Sequence, residues 1–157
     1  MSSFISRFKE QQNQIVMGLV LCVALVTFFL PKWFTSSHTL SPLSGLMVQN
    51  QLAQESMPYA EALANGKPTL IEFYADWCSS CQAFAPTLQT VHETLGHEVN
   101  FVMLNIDDPQ WKEPIQTYQA TGVPQLTLLN EDESLAETWV GKVPESYLLT
   151  QLKSRLS

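Results

Sequence analysis

The 157-residue sequence has only three cysteines, Cys22, Cys78 and Cys81, too few for a disulfide-built scaffold. Basic residues are scarce: eight Lys and Arg against fifteen Asp and Glu give a net charge of −7, which argues against a nucleic-acid partner. No internal repeat and no low-complexity tract occurs. Long hydrophobic runs are also missing, with one exception near the N-terminus. The charge is unevenly spread. Arg7, Lys9 and Glu10 are the charged residues before Pro31, whereas Leu46 onward holds fourteen acidic and five basic residues, a balance of −9. The length fits one domain plus an additional segment.

The exception is Ile15–Leu30, "IVMGLVLCVALVTFFL", sixteen residues without a charge. As a helix it spans about 24 Å, and extension to Phe34 brings it near the ~30 Å thickness of a bilayer's hydrocarbon core. Lys32 can snorkel and Trp33 can sit at the interface. A cleaved leader has a shorter apolar region, roughly 7–15 residues, and a small-residue cleavage site. "PKWFTSS" is a poor one. The expectation is an uncleaved transmembrane anchor over 15–34, with a cytoplasmic N-terminus over 1–14 set by Arg7 and Lys9. Cys22 within the span reads as a small apolar filler. Residues 35–45, rich in Ser, Thr, Pro and Gly, read as a linker to a domain over 46–157.

From Leu46 the pattern alternates between helix and strand. Leu46–Asn65 reads as helical in two pieces, interrupted by Pro58. "GKP" at 66–68 is a turn. Thr69–Ala75 is a buried strand. Phe84, Leu88, Val91 and Leu95 recur at helical spacing. Val99–Ile106 is a second strand. Asp108-Pro109 marks a helix start, with Trp111, Ile115 and Tyr118 behind it and Pro114 predicting a kink or a short helix. Gln125–Leu129 and Leu135–Val140 are strands joined by the acidic turn "NEDES". Pro144 opens a last helix with Leu148, Leu152 and Leu156. This order predicts an α/β fold: a parallel strand pair extended by a hairpin, with helices on both faces.

Cys78 and Cys81 stand two residues apart where a buried strand gives way to a helix. Zinc is one reading, because His92 and His97 follow. The spacing between the second cysteine and His92 is short for a finger, however, and His92 would lie roughly 16 Å along a helix from Cys81. No metal site is therefore expected, and the two histidines read as surface residues. A structural staple is weak too, because so small a loop constrains the unfolded chain little. A redox pair fits the surroundings. Cys78 at a helix N-terminus would be favoured as thiolate by free N–H groups and the macrodipole. Cys81, one turn inside, can attack a mixed disulfide and release product.

Residues 66–157 resemble a thioredoxin domain. "FYADWCSSC" is similar to the family's active-site segment. Pro86 matches its helix-kinking proline, "TGVPQ" its cis-proline segment, Gly141 the glycine after the last strand, and Glu72 the position of a buried acid. The resemblance implies a thioredoxin fold with catalytic residues Cys78, Cys81 and Glu72, a redox-active Cys78–Cys81 disulfide, and substrate contacts from Trp77, Val123 and Pro124. It implies no cofactor. Glu72 could also be an outward-facing strand residue. Two departures stand out: Ser79-Ser80 replaces the thioredoxin Gly-Pro, and Met103 falls where thioredoxin has a lysine near the acid.

With its N-terminal anchor, "MPYAEALANGKPTLIEFYADWC", "VNFVMLNIDDPQW" and "GVPQLTLLN", the chain further resembles the membrane-anchored thioredoxin-like proteins of cyanobacterial and chloroplast thylakoids. That resemblance implies a domain facing the lumen or periplasm. It also implies electrons from a CcdA-type membrane thiol transporter, and disulfide-bearing protein substrates, apocytochromes among them, in cytochrome b6f or c-type assembly. A thiol oxidase or isomerase remains the second enzyme reading, although Ser79-Ser80 lacks the histidine of strongly oxidising relatives. A thioredoxin-fold binding module without redox turnover is the third.

Overall fold

The computed structural model describes Met17, Gly18 and residues 42–156. The chain divides into two units, Met1–Thr39 and Leu40–Ser157. The expected anchor and N-terminus thus lie outside the described residues, apart from Met17 and Gly18, which are helical. Among the described residues no helix is long and apolar enough to cross a membrane.

The second unit begins with α1 (Pro42–Glu55) and α2 (Tyr59–Ala64), followed by β1 (Thr69–Tyr74) and α3 (Ser79–Leu95). Then come β2 (Asn100–Asn105), a 3-10 turn (Pro109–Trp111), α4 (Lys112–Thr117), β3 (Gln125–Leu129), β4 (Leu135–Val140) and α5 (Glu145–Lys153). The sheet order is β2-β1-β3-β4. β1 and β2 are parallel, while β3 runs antiparallel to both β1 and β4. This is the expected parallel pair extended by a hairpin.

Strand β1 is buried along its whole length, as a central strand should be, and Glu72 is the one charged residue in it. Its alternation divides the core. Leu70 joins Leu52, Phe84, Leu88, Val91, Leu126, Leu148 and Leu152 on the face covered by α1, α3 and α5. Ile71 and Phe73 join Ala62, Val102 and Leu104 on the opposite face, under α2 and α4. Glu72 shares the side of Leu70, because side chains alternate along a strand. In α3 the buried residues Phe84, Leu88, Val91 and Leu95 form one stripe, and the helix continues through Pro86.

Helix α1 starts at Pro42, within the stretch read as linker. A proline is tolerated in a first helical turn. Gly45 is a contact residue: a Cβ there would lie 2.5 Å from the backbone oxygen of Gln82 in α3. Gly45, Gln49 and Leu52 are buried at helical spacing, and that stripe seats α1 on α3. The break before α2 falls at Pro58, as expected. Pro114 sits near the start of a short six-residue helix rather than within a long one.

Candidate active site

Strands β1 and β2 run parallel, so their C-terminal ends lie together, and the cysteine segment leaves β1 at that end. Cys78 caps α3: its Sγ accepts from the Cys81 N–H at 3.0 Å. The two cysteines are joined as a disulfide with Cα atoms 5.2 Å apart. Cys78 is 6% exposed and Cys81 0%, which makes Cys78 the more accessible cysteine. A sulfur at the start of a helix accepts from its free N–H groups, and the helix dipole favours negative charge there. Tyr74, Ala75, Cys78 and Cys81 form a small cluster, against which Ala53, Met103, Ile106 and Val123 pack.

The turn that delivers Cys78 is held from three sides. Gln49 of α1, fully buried, donates to the Ala75 carbonyl at 3.3 Å. Gln82 Nε2 donates to the Asp76 carbonyl at 2.7 Å. The Trp77 indole donates to Asp107 Oδ2 at 2.8 Å, and the ring stays 66% exposed beside the disulfide. None of these partners follows from the sequence pattern. Asp107 comes just after the end of β2, so the parallel pairing alone brings it to Trp77.

The Val123–Pro124 peptide bond is cis. Pro124 is buried and Val123 half-buried, the latter against the cysteine cluster. The Pro124 carbonyl accepts from the Gly141 N–H at 2.8 Å. Gly141 has φ +87°, a conformation that favours glycine, and this lets the end of β4 turn back to Pro124.

Glu72 is 3% exposed, so it is not an outward-facing residue. Both its carboxylate oxygens are buried without a hydrogen-bond partner among the described residues. Burial alone pushes its pKa up to about 8, because a charged carboxylate in apolar surroundings loses its hydration. It pairs in register with Met103 across β1 and β2, where a lysine would have supplied an opposite charge. A small, almost wholly apolar cavity of about 20 Å³ lies beside Glu72, walled also by Leu52, Leu88, His92, Phe101 and Met103, while the carboxylate oxygens themselves are closed off.

His92 corrects the sequence reading. It is half-buried, with its ring 4.9 Å from that of Phe101, and it lines the Glu72 cavity. Its position four residues after Leu88, on the buried stripe of α3, was the available signal. Cys81 and His92 lie on one continuous helix, and among the described residues no group of three or more His, Cys, Asp or Glu could hold a metal ion.

The thioredoxin family profile matches residues 49–154. The chain is 41% identical over 98 residues to the chloroplastic thioredoxin-like protein HCF164 of Oryza sativa, covering 62% of this chain and 37% of that protein. It is 42% identical over 100 residues to the thiol:disulfide interchange protein TxlA homolog of Synechocystis, covering 64% and 55%. The chain therefore spans about half the length, or less, of these curated relatives. Among solved structures, a mutant thioredoxin from Halobacterium salinarum superposes with a TM-score of 0.55 at 28% identity, covering 62% of this chain and 81% of that one. With the family profile matched across the whole sheet and the C-x-x-C disulfide at the start of α3, the chain belongs to the thioredoxin family.

Proposed function

We propose that this protein is a membrane-tethered thiol-disulfide reductase whose thioredoxin domain faces a lumen or periplasm. The observation that carries the redox reading is the Cys78–Cys81 disulfide at the N-terminus of α3, with the more accessible cysteine first. The anchor rests on the apolar run 15–30 and its extension to Phe34. The lumenal side rests on Arg7 and Lys9 before that run.

In the reducing direction the Cys78 thiolate attacks a substrate disulfide and forms a mixed disulfide, and the first substrate sulfur leaves as thiolate. Glu72 takes the proton of the Cys81 thiol. The Cys81 thiolate then attacks Cys78 Sγ, which closes the enzyme disulfide and releases the second substrate thiolate. Two electrons pass to the substrate, whose thiolates are protonated from solvent. Val123 offers its backbone, and Trp77 its exposed ring, to the substrate chain.

A reductase in an oxidising compartment must be recharged across the membrane. A tether holds it near a membrane donor at raised effective concentration. By resemblance that donor is a CcdA-type thiol transporter. The clients are apocytochromes, whose C-x-x-C-H thiols must be reduced before haem attachment. The Synechocystis relative, named for thiol:disulfide interchange, supports a thiol-disulfide exchange role for the pair.

The full chain in detergent should reduce insulin, and its measured potential should lie on the reducing side, near that of thioredoxin at about −270 mV rather than the oxidase range near −120 mV. Deleting the gene should lower assembled cytochrome, with partial recovery on adding an external thiol reductant. No insulin reduction would leave a binding module. Normal cytochrome in a strain with no redundant reductase would remove the assembly role.

A further inference from the structure

Gln49 is polar and fully buried, and packing does not explain it. Its side chain donates from Nε2 to the Ala75 carbonyl at 3.3 Å. A carbonyl can only accept, so this contact fixes which end of the amide faces the turn. Gln49 Oε1 is then left buried, without a donor among the described residues. An unmet buried acceptor is destabilising, and an apolar side chain of the same length would avoid it. The stripe of α1 shows where Gln49 sits. Gly45, one turn before it, meets the Gln82 backbone, and Ala53, one turn after it, packs on the cysteine cluster. The Ala75 carbonyl also accepts from the Cys78 N–H at 3.1 Å. The Gln49 amide and the Cys78 backbone therefore meet on one oxygen.

We infer that Gln49 is a positioning residue for Cys78: by fixing the Ala75 carbonyl it sets the turn that places the Cys78 sulfur at the start of α3, where a thiolate is stabilised. The inference rests on the reading of Cys78 as the attacking thiolate. That thiolate has little other support. β1 carries Glu72 and Tyr74, the turn Asp76, α3 Cys81, and the segment after β2 Asp107 and Asp108. Each of these is neutral or negative, so none favours a second negative charge. α1 adds no charge beside the turn, because its one charged residue is Glu55 at its last position. Lys142, after β4, is exposed, where water and salt screen it. What remains is the free N–H groups and dipole at the start of α3, whose effect falls off within the first turn. Cys78 Sγ accepts from the Cys81 N–H at 3.0 Å, a contact that depends on where the turn delivers the sulfur.

The test is the pH dependence of Cys78 alkylation by iodoacetamide in the reduced full-length protein, read by mass spectrometry of the Cys78 peptide. The chains compared are the unaltered protein, Gln49→Met and Val48→Ala. Gln49→Met keeps the length of the side chain and removes the donor. It should raise the Cys78 pKa by about one unit, towards the ~8.5 of a free thiol, and slow alkylation at neutral pH by about five- to tenfold, with the curves converging in alkali. Its urea midpoint should stay level or rise, because the unmet acceptor is gone. Val48→Ala trims a neighbour packed on the main core, and should lower the midpoint while leaving the Cys78 titration in place. An unshifted titration in Gln49→Met overturns the inference. An equal shift in Val48→Ala also overturns it, because the seating of α1 as a whole is then responsible. A Gln49→Met chain that does not fold assigns the residue to the fold and ends the inference too. A Cys78 that titrates like a free thiol in the unaltered protein overturns instead the reading of Cys78 as the attacking thiolate, on which Gln49's part depends.

Discussion

Glu72 and Met103 face each other across the parallel β1–β2 pair and share the wall of one small cavity. A carboxyl set opposite a thioether has no neighbouring cation to hold it ionised, and desolvation raises its pKa to about 8. At neutral pH most of the population carries the proton, so the carboxylate that accepts from Cys81 is a minority species. The closing step should therefore quicken as pH rises through about 8. Glu72→Gln should flatten this profile and slow the step by at least about tenfold. Single-turnover rates across the pH range decide it, and an unchanged profile rules the role out.

Met103→Lys should move that profile. An ammonium beside the carboxyl favours its charged form, with typical effects of about 1–3 pH units. The midpoint of the rate profile should fall well below 8 while the sheet stays intact. A midpoint left in place would show that the residue opposite Glu72 does not set its ionisation.

The cysteines divide the work by exposure. Cys81→Ser should accumulate mixed disulfides with substrate proteins, because the accessible Cys78 attacks and nothing releases the product. Cys78→Ser should not, because Cys81 is 0% exposed. Non-reducing gels of the two variants after acid quenching read this out, and the opposite pattern would reverse the roles.

The sheet, its order and the cysteine pair are legible in the sequence because each follows from local pattern: apolar strands, a 3.6-residue stripe in α3, and a C-x-x-C at the join. Contacts between elements leave no such mark. Pro42 and Gly45 have a linker's composition, yet one opens a helix and the other is a close contact on Gln82. Asp107 lies 30 residues from Trp77, and only strand pairing joins them. The side of the sheet that Glu72 occupies is written in the alternation. That this side is closed over depends on α1, whose first turn has a linker's composition. His92 reads as a surface residue because a histidine is usually solvated. Its place on the Leu88 stripe carries the opposite message.

Gly45→Val tests the α1 contact. The added side chain meets the Gln82 backbone, which cannot swing aside as a flexible side chain would. Overpacking of this kind costs about 1–3 kcal/mol. The denaturation midpoint should fall accordingly, and the Gln49 bond to Ala75 should loosen with it, slowing substrate reduction. An unaltered midpoint would mean that α1 is not firmly seated on α3.

Glu72 should also make the fold less stable in alkali. In the unfolded chain a glutamate loses its proton near pH ~4.3, whereas in the fold this one keeps it up to about 8. Between those values the folded state binds the extra proton, so stability is greatest below the lower pKa and declines as pH rises towards the upper one. The decline runs at about 1.36 kcal/mol per pH unit, which makes the full penalty above pH 8 on the order of 5 kcal/mol. Glu72→Gln removes the titration while keeping the shape. The variant should lack this decline and gain over the unaltered protein at alkaline pH, with the difference shrinking as pH drops towards the lower value. Urea titrations at several pH values measure it. Parallel curves for the two proteins over that window would mean that the carboxyl ionises in the fold as it does in water, and would overturn the raised pKa.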